Sequence, residues 1–200
     1  MSVKTGPCLS EPAPLTKPQS NKLLDRSMDK KPFHVLFVCT GNLCRSPMAE
    51  GILRHLLKEK NVNPIEVRSA GLFTFENRPA EPLAVEVCHE KGIDISNHRA
   101  VLFDSTLAEW ADLILVMENA HLFYIQNFIP QAKGKIFLLR GFGNPSAPGE
   151  DIEDPIGQDL EAYRNCYETL EAEIQRILPK IIELAKAQYE TKENPCEETS

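Results

Sequence analysis

The sequence predicts a single α/β domain built on a parallel sheet, and two features predict it. Short apolar runs alternate with longer stretches of helical periodicity, the order that sets strands side by side with helical crossovers between them. The strongest of those runs is almost continuously apolar, as a strand covered on both faces must be.

The first run, Phe33-His34-Val35-Leu36-Phe37-Val38, follows Pro32 and predicts the first strand. Cys39 to Arg45 then form a turn, in which Gly41 and Asn42 tolerate a left-handed backbone. Ser46-Pro47 predicts a helix start, with serine as the cap and proline in the first helical position. Met48, Ile52, Leu56 and Leu57 fall on one face of that helix. A weaker strand, Ile65-Glu66-Val67-Arg68, ends at Ser69-Ala70-Gly71, and Leu113–Met117 and Ile136–Leu139 predict two more. Helices are expected over about 80–91, about 119–129 and from about 159. The last carries an apolar stripe of Leu160, Tyr167, Leu170, Ile174, Ile177 and Ile181, with Pro179 expected to kink or divide it. In such sheets ligands bind beyond the carboxyl ends of the strands, which is where Cys39 sits.

The domain is expected to span 32–190. Residues 1–31, rich in Pro, Ser, Lys and Gln without periodicity, read as a disordered extension, and 191–200 as a mobile acidic tail. No apolar run approaches the roughly 18 residues needed to cross a bilayer, and no secretory pattern opens the chain. A cytoplasmic protein without a membrane partner is therefore expected. The net charge of −7 argues against sequence-independent binding to nucleic acid. Basic character near Arg45, Arg54 and His55 still leaves room for an anionic substrate. None of the six cysteines (Cys8, Cys39, Cys44, Cys88, Cys166 and Cys196) has Cys-x-x-Cys spacing, so neither a zinc site nor a disulfide scaffold is expected. Cys88 and Cys166 read as small buried apolar residues.

The segment Cys39-Thr40-Gly41-Asn42-Leu43-Cys44-Arg45-Ser46-Pro47 meets three needs of phosphoryl transfer together. A loop turning into a helix aims backbone N–H groups at an anion, and the helix start adds positive potential. A helix N-terminus and a neighbouring arginine favour a thiolate, the reactive form of cysteine. The planar guanidinium of Arg45 can offer two parallel N–H bonds to phosphoryl oxygens, a geometry lysine lacks. A leaving oxygen also needs an acid, and Asp154, in Glu153-Asp154-Pro155-Ile156-Gly157, is the candidate. Asp151 and Glu153 are like charges expected to favour its protonated form. Ionised after the first step, it could activate water against phospho-Cys39. Taken alone, Asp-Pro is an ordinary turn pair. Ser46 has two readings, as helix cap and as a donor to the Cys39 sulfur. Cys44 also has two, as packing and as a partner that captures oxidised Cys39 in a disulfide.

These residues resemble the low-molecular-weight protein tyrosine phosphatase family across about 33–185. The resemblance rests on the Val38–Pro47 loop, on Ser69-Ala70-Gly71, on Gly92-Ile93-Asp94 through His98-Arg99-Ala100, and on Asp154-Pro155. It implies a four-stranded parallel sheet flanked by helices, a phosphorylated protein as partner, and no metal or cofactor. It matches Cys39 to the nucleophile, Arg45 to the phosphate-binding arginine and Asp154 to the general acid. Thr40, Gly41, Asn42, Leu43, Cys44 and Ser46 complete the substrate-binding loop. Asn42, Ser69 and His98 match residues that brace that loop. Three departures stand out. Ile156 and Gly157 occupy positions where many eukaryotic members carry tyrosines, with Phe73 and Phe75 either aromatic contacts from the other side or core. Leu43 stands where relatives acting on phosphoarginine carry threonine, which favours phosphotyrosine. The N-terminal extension is unusual for the family. Protein-arginine phosphatase is the nearest alternative, followed by arsenate reductase, which needs relay cysteines, and a non-catalytic phosphate-binding module.

Overall fold

Alternation along one buried strand builds the domain. The structure, a computed structural model, describes residues 31–62, 64–144 and 149–193. Strand β1 (Phe33–Cys39) is buried throughout. Phe33, Val35, Phe37 and Cys39 face one apolar cluster, and Leu36 and Val38 face another. A strand that must satisfy two cores is apolar at nearly every position, His34 being the exception here, which is why the first run carries no regular polar alternation.

The remaining elements are α1 (Arg45–Glu59), β2 (Ile65–Gly71), α2 (Pro82–Glu90), α3 (Ser105–Trp110), β3 (Leu113–Val116), α4 (Asn119–Phe128), a 3₁₀ turn (Pro130–Ala132), β4 (Ile136–Leu138) and α5 (Leu160–Glu193). The four strands form one sheet in the order β2-β1-β3-β4, every neighbouring pair parallel. The first cluster lies under α1, α2 and α5 and the second under α3 and α4, so helices cover both faces. The stripe expected on the last helix is buried from Tyr167 to Ile181, and Met48, Ile52, Leu56 and Leu57 of α1 are buried as expected.

Local signals and tertiary packing part company at five places. First, α1 starts at Arg45, with Cys44 at the cap position and no side-chain cap. Ser46 is therefore inside the first turn, its hydroxyl turned into the loop, and is not the cap the sequence suggested. Pro47 is tolerated there because first-turn N–H groups have no acceptor within the helix. Second, Pro179 does not divide α5. It lies on the exposed face beside buried Ile177, Leu178 and Ile181, so packing holds the helix together while the carbonyl of Gln175, deprived of a donor, can meet water. Third, β2 runs on to Gly71, pairing with β1 as far as Cys39. Fourth, α3 was not expected; Asp104 caps it, accepting from Leu107 N at 2.8 Å. Fifth, α5 continues to Glu193, into the stretch read as a tail. The extension expected over the first thirty residues, and 194–200, lie outside the described residues.

Candidate active site

The register of β1 and β2 sets Cys39 opposite Gly71 at the carboxyl end of the sheet. A Cβ on Gly71 would lie 2.9 Å from both Asn42 N and the Gly41 carbonyl carbon, so the bare α-carbon lets the Cys39 loop rest on the strand end. Of the two residues expected to tolerate a left-handed backbone, Asn42 uses that freedom, at φ 54°; Gly41 does not.

The carbonyls of the loop are held from outside. Cys39 O accepts from Leu72 N (3.0 Å), Thr40 O from Phe73 N (2.9 Å) and Leu43 O from Glu81 N (2.9 Å). His98 Nε2 bonds Asn42 O at 2.9 Å. Within a trans peptide the C=O and the following N–H point in opposite directions. The N–H groups of Thr40, Gly41, Leu43 and Cys44 are thereby turned toward the inside of the loop. The first hydrogen bond of α1, from Met48 N to Cys44 O (3.1 Å), comes after them. The result is a ring of inward donors at a helix N-terminus, a site made for a tetrahedral anion.

At its base Cys39 Sγ receives Asn42 N at 3.2 Å and lies 3.0 Å from Ser46 Oγ. Behind the sulfur the Asn42 amide links three groups. Its nitrogen donates to Ser46 Oγ (2.8 Å) and Ser69 Oγ (2.9 Å), and its oxygen accepts from Val101 N (2.9 Å). Ser69 Oγ donates on to Glu50 Oε2 at 2.6 Å. Burial keeps the His98 ring below the ordinary histidine pKa, which favours the neutral form.

In front stands Arg45, only 1% exposed. Its Nη1 pairs with Glu118 Oε1 and donates to Ile152 O at 2.9 Å; its Nη2 pairs with Asp154 Oδ2 and reaches Thr40 Oγ1 at 3.3 Å. Nε has no hydrogen-bond partner among the described residues. Burial opposes the charge on Arg45, but Cys39, Asp154 and Glu118 outweigh it and hold the group protonated above its ordinary value. Asp154 is delivered by a loop pinned just past the end of β3, through Ile152 N to Met117 O (2.8 Å). Of the like charges expected around it, Asp151 is directed elsewhere, its Oδ1 accepting from Asn119 N at the start of α4 at 2.7 Å, and Asp154 itself pairs with the Arg45 cation. Gly157, at φ 77°, closes the turn after Pro155.

Cys44 Sγ lies 3.4 Å from Tyr163 Oη, and burial pushes its thiol up to about 12. Cys88 and Cys166 are buried, as expected, and burial raises both to about 12. Cys88 sits in the core on α2, poorly placed for the relay an arsenate reductase requires. Phe73 and Phe75 are 62% and 81% exposed, which removes the core reading. Phe73 meets Tyr124 edge to face at 5.3 Å, and Tyr124 meets Phe128 at 5.0 Å, forming an aromatic ledge beside Thr40. Arg54 and His55, expected near Arg45, instead line a cleft of about 540 Å³ along α1. Arg54 is engaged there by Glu50 (2.8 Å) and Val67 O (2.7 Å), and His55 by Glu59 (3.3 Å).

Sequence reasoning missed Glu118, His121 and Tyr163. Glu118 follows the carboxyl end of β3, so the rule that drew notice to Cys39 also applied to it. Tyr163 had no signal. Among the described residues no group of His, Cys, Asp and Glu could hold a metal ion, and no helix is long and apolar enough to cross a membrane.

A parallel α/β sheet ending in an anion-binding loop, with cysteine at its base and an arginine–aspartate pair at its mouth, defines a cysteine-based phosphatase. Residues 34–189 match the family model described as low molecular weight phosphotyrosine protein phosphatase, and the chain belongs to that family. It is 40% identical over 150 residues to a protein-arginine-phosphatase of Geobacillus stearothermophilus, covering 75% of this chain and 97% of that protein. It is 39% identical over 151 residues to a probable low molecular weight protein-tyrosine-phosphatase, EpsP, of Ralstonia nicotianae, covering 74% and 94%. A crystal structure of a low molecular weight protein tyrosine phosphatase from T. tengcongensis superposes with a TM-score of 0.69 at 42% identity, covering 74% of this chain and 99% of that one.

Proposed function

We propose that the protein hydrolyses phosphotyrosine in phosphorylated proteins through a phosphocysteine at Cys39. One observation carries this reading: the Cys39 sulfur sits at the base of the inward-facing amides, with the Arg45 fork and Asp154 in contact at the mouth. A phosphoryl dianion entering the loop replaces the carboxylates on Arg45. Asp154, displaced from Arg45 and facing the dianion, takes up a proton from solvent; Cys39 Sγ then attacks phosphorus as the P–O bond breaks, and Asp154 gives that proton to the leaving oxygen. Ionised Asp154 then takes a proton from water as that water attacks phosphorus. The S–P bond breaks and the thiolate departs, with Ser46 Oγ within donating distance. The amides of Thr40, Gly41, Leu43 and Cys44 stabilise the equatorial oxygens. Ser69 and His98 act through Asn42, and the scheme calls on no metal or cofactor.

Phosphotyrosine is favoured by Leu43 in the loop and by the ledge of Phe73 and Tyr124 beside Thr40, with exposed Ile156 following the acid. Phosphoarginine is the second reading, favoured by the 40% identity to a relative of that activity. The four described cysteines are unpaired, which suits the reducing cytoplasm.

Hydrolysis of matched phosphotyrosine and phosphoarginine peptides by the wild type tests the specificity. The tyrosine peptide should be preferred; predominant arginine activity would overturn that preference and leave the chemistry standing. Cys39→Ser should abolish turnover while phosphate binding stays measurable by calorimetry, and an active variant would remove Cys39 from the role of nucleophile.

A further inference from the structure

His121 lies near the start of α4, 4% exposed, and the reaction just described does not use it. Its Nε2 is 2.9 Å from Thr40 Oγ1 and 3.7 Å from Glu118 Oε1. Its Nδ1 is buried with no hydrogen-bond partner among the described residues. Thr40 Oγ1 is also reached by Arg45 Nη2 at 3.3 Å, and that same nitrogen pairs with Asp154. The Thr40 hydroxyl therefore stands at the rim where a phosphoryl group would meet Arg45.

These contacts decide where the hydrogens are. Burial keeps the ring below the ordinary histidine pKa; Glu118, Asp154 and Asp151 pull the other way and Arg45 pushes with it. A neutral ring has one proton to place. On Nδ1 it would be a buried donor without an acceptor, a costly arrangement. On Nε2 it faces the Glu118 carboxylate, which attracts a hydrogen and would repel a lone pair. The proton belongs on Nε2, from which it donates to Thr40 Oγ1. Arg45 Nη2 is a second donor to the same oxygen. A hydroxyl has two acceptor positions and one hydrogen. With both positions filled, its hydrogen is directed away from His121 and Arg45.

We infer that His121 is a positioning residue whose Nε2–H fixes the Thr40 hydroxyl so that its hydrogen donates to a phosphoryl oxygen in the transition state. The inference rests on the phosphatase reading and adds a side-chain donor to the backbone ring. It assigns the loop's threonine a role beside Arg45, where two fixed donors leave its hydroxyl hydrogen a single direction.

Kinetics with an aryl phosphate test it. Thr40→Val should lower kcat/KM by about 10–100-fold, at or below the usual cost of a lost oxyanion donor. His121→Phe should lower kcat by about 10-fold with little change in KM, because the unpinned hydroxyl then turns away from the phosphoryl oxygen. His121→Gln, whose amide can donate to the same oxygen, should recover most of that loss. In a Thr40→Val background, His121→Phe should add less than about a twofold further loss, since coupled residues are not additive. Fully additive losses, or a Gln variant as poor as Phe, would overturn the inference. Nitrogen-15 NMR of the His121 ring in the wild type decides independently of whether any variant folds. Protonated Nε2 and bare Nδ1 are expected at neutral pH; the opposite tautomer, or a doubly protonated ring, overturns the assignment. A wild-type protein that binds inorganic phosphate but cleaves no phosphomonoester would instead sink the phosphatase reading, and the tautomer would still be read.

Discussion

The back and the front of the Cys39 loop are held by different kinds of bond. Behind it, Asn42 joins Ser46, Ser69 and Val101 through neutral hydrogen bonds, and His98 adds a fourth contact at the Asn42 carbonyl. In front, Arg45 is held by two carboxylates, Glu118 and Asp154, whose side chains are 28% and 30% exposed. Neutral bonds between fixed, buried groups have no reason to change when an anion arrives. Charge pairs do, because a phosphate dianion is a better partner for a guanidinium than either carboxylate. A buried cation must be compensated at all times. Glu118 and Asp154 do this for Arg45, and in the proposed mechanism the exchange with phosphate frees Asp154 to become the acid. The loop is thus shaped from behind and switched from in front.

Three substitutions would break or sharpen that contrast. Asp154→Asn should slow turnover of a phosphopeptide by about 10²–10⁴-fold, the usual worth of general acid catalysis. The loss should be smaller on nitrophenyl phosphate, whose leaving group needs little protonation. Stability should change by no more than about 1 kcal/mol, because the carboxylate is part exposed and Glu118 still neutralises Arg45. Asn42→Ala should do its damage elsewhere: denaturant unfolding should show a loss of roughly 2–4 kcal/mol, from stranded buried partners and a left-handed residue without a side chain to support it. If both variants lost stability equally, the distinction between the two sides would collapse. Glu118→Gln should have the smallest effect, tightening inhibition by inorganic phosphate roughly two- to fivefold, the scale of a part-exposed ion pair. Weaker inhibition would show that Glu118 aims Arg45 more than it competes for it.

Several parts of the site are local in sequence. Cys39 to Pro47 is nine consecutive residues, and a buried strand before it and an amphipathic helix after it are visible in the apolar pattern alone. Ser69 and His98 were legible only through family resemblance, since a lone serine or histidine has an ordinary use elsewhere in any protein, whereas Asp154 was legible as a candidate acid only once it was set beside the Cys39 loop, an Asp-Pro pair alone being an ordinary turn. Local rules also erred in an instructive way. Ser46 has the chemistry of a cap, but a helix end facing a cysteine sulfur and an asparagine amide offered its hydroxyl other partners. Pro179 has the chemistry of a breaker, but a stripe buried on both sides of it outweighed one missing hydrogen bond.

The sequence by itself determined the alternation of strands and helices along the chain apart from α3, the burial of β1, and the presence of a thiol, a guanidinium and a loop of amides within a few residues of one another. Periodicity and short-range spacing encode such things because neighbours along a chain cannot be far apart. Only the tertiary structure decided that Glu118 and Asp154 would flank Arg45, that His121 would meet Thr40, and that Gly71 would leave room for the loop. Those contacts join residues up to 109 positions apart. They exist because parallel pairing brings the carboxyl ends of three strands to one edge, and no stretch of sequence records which side chains will meet there.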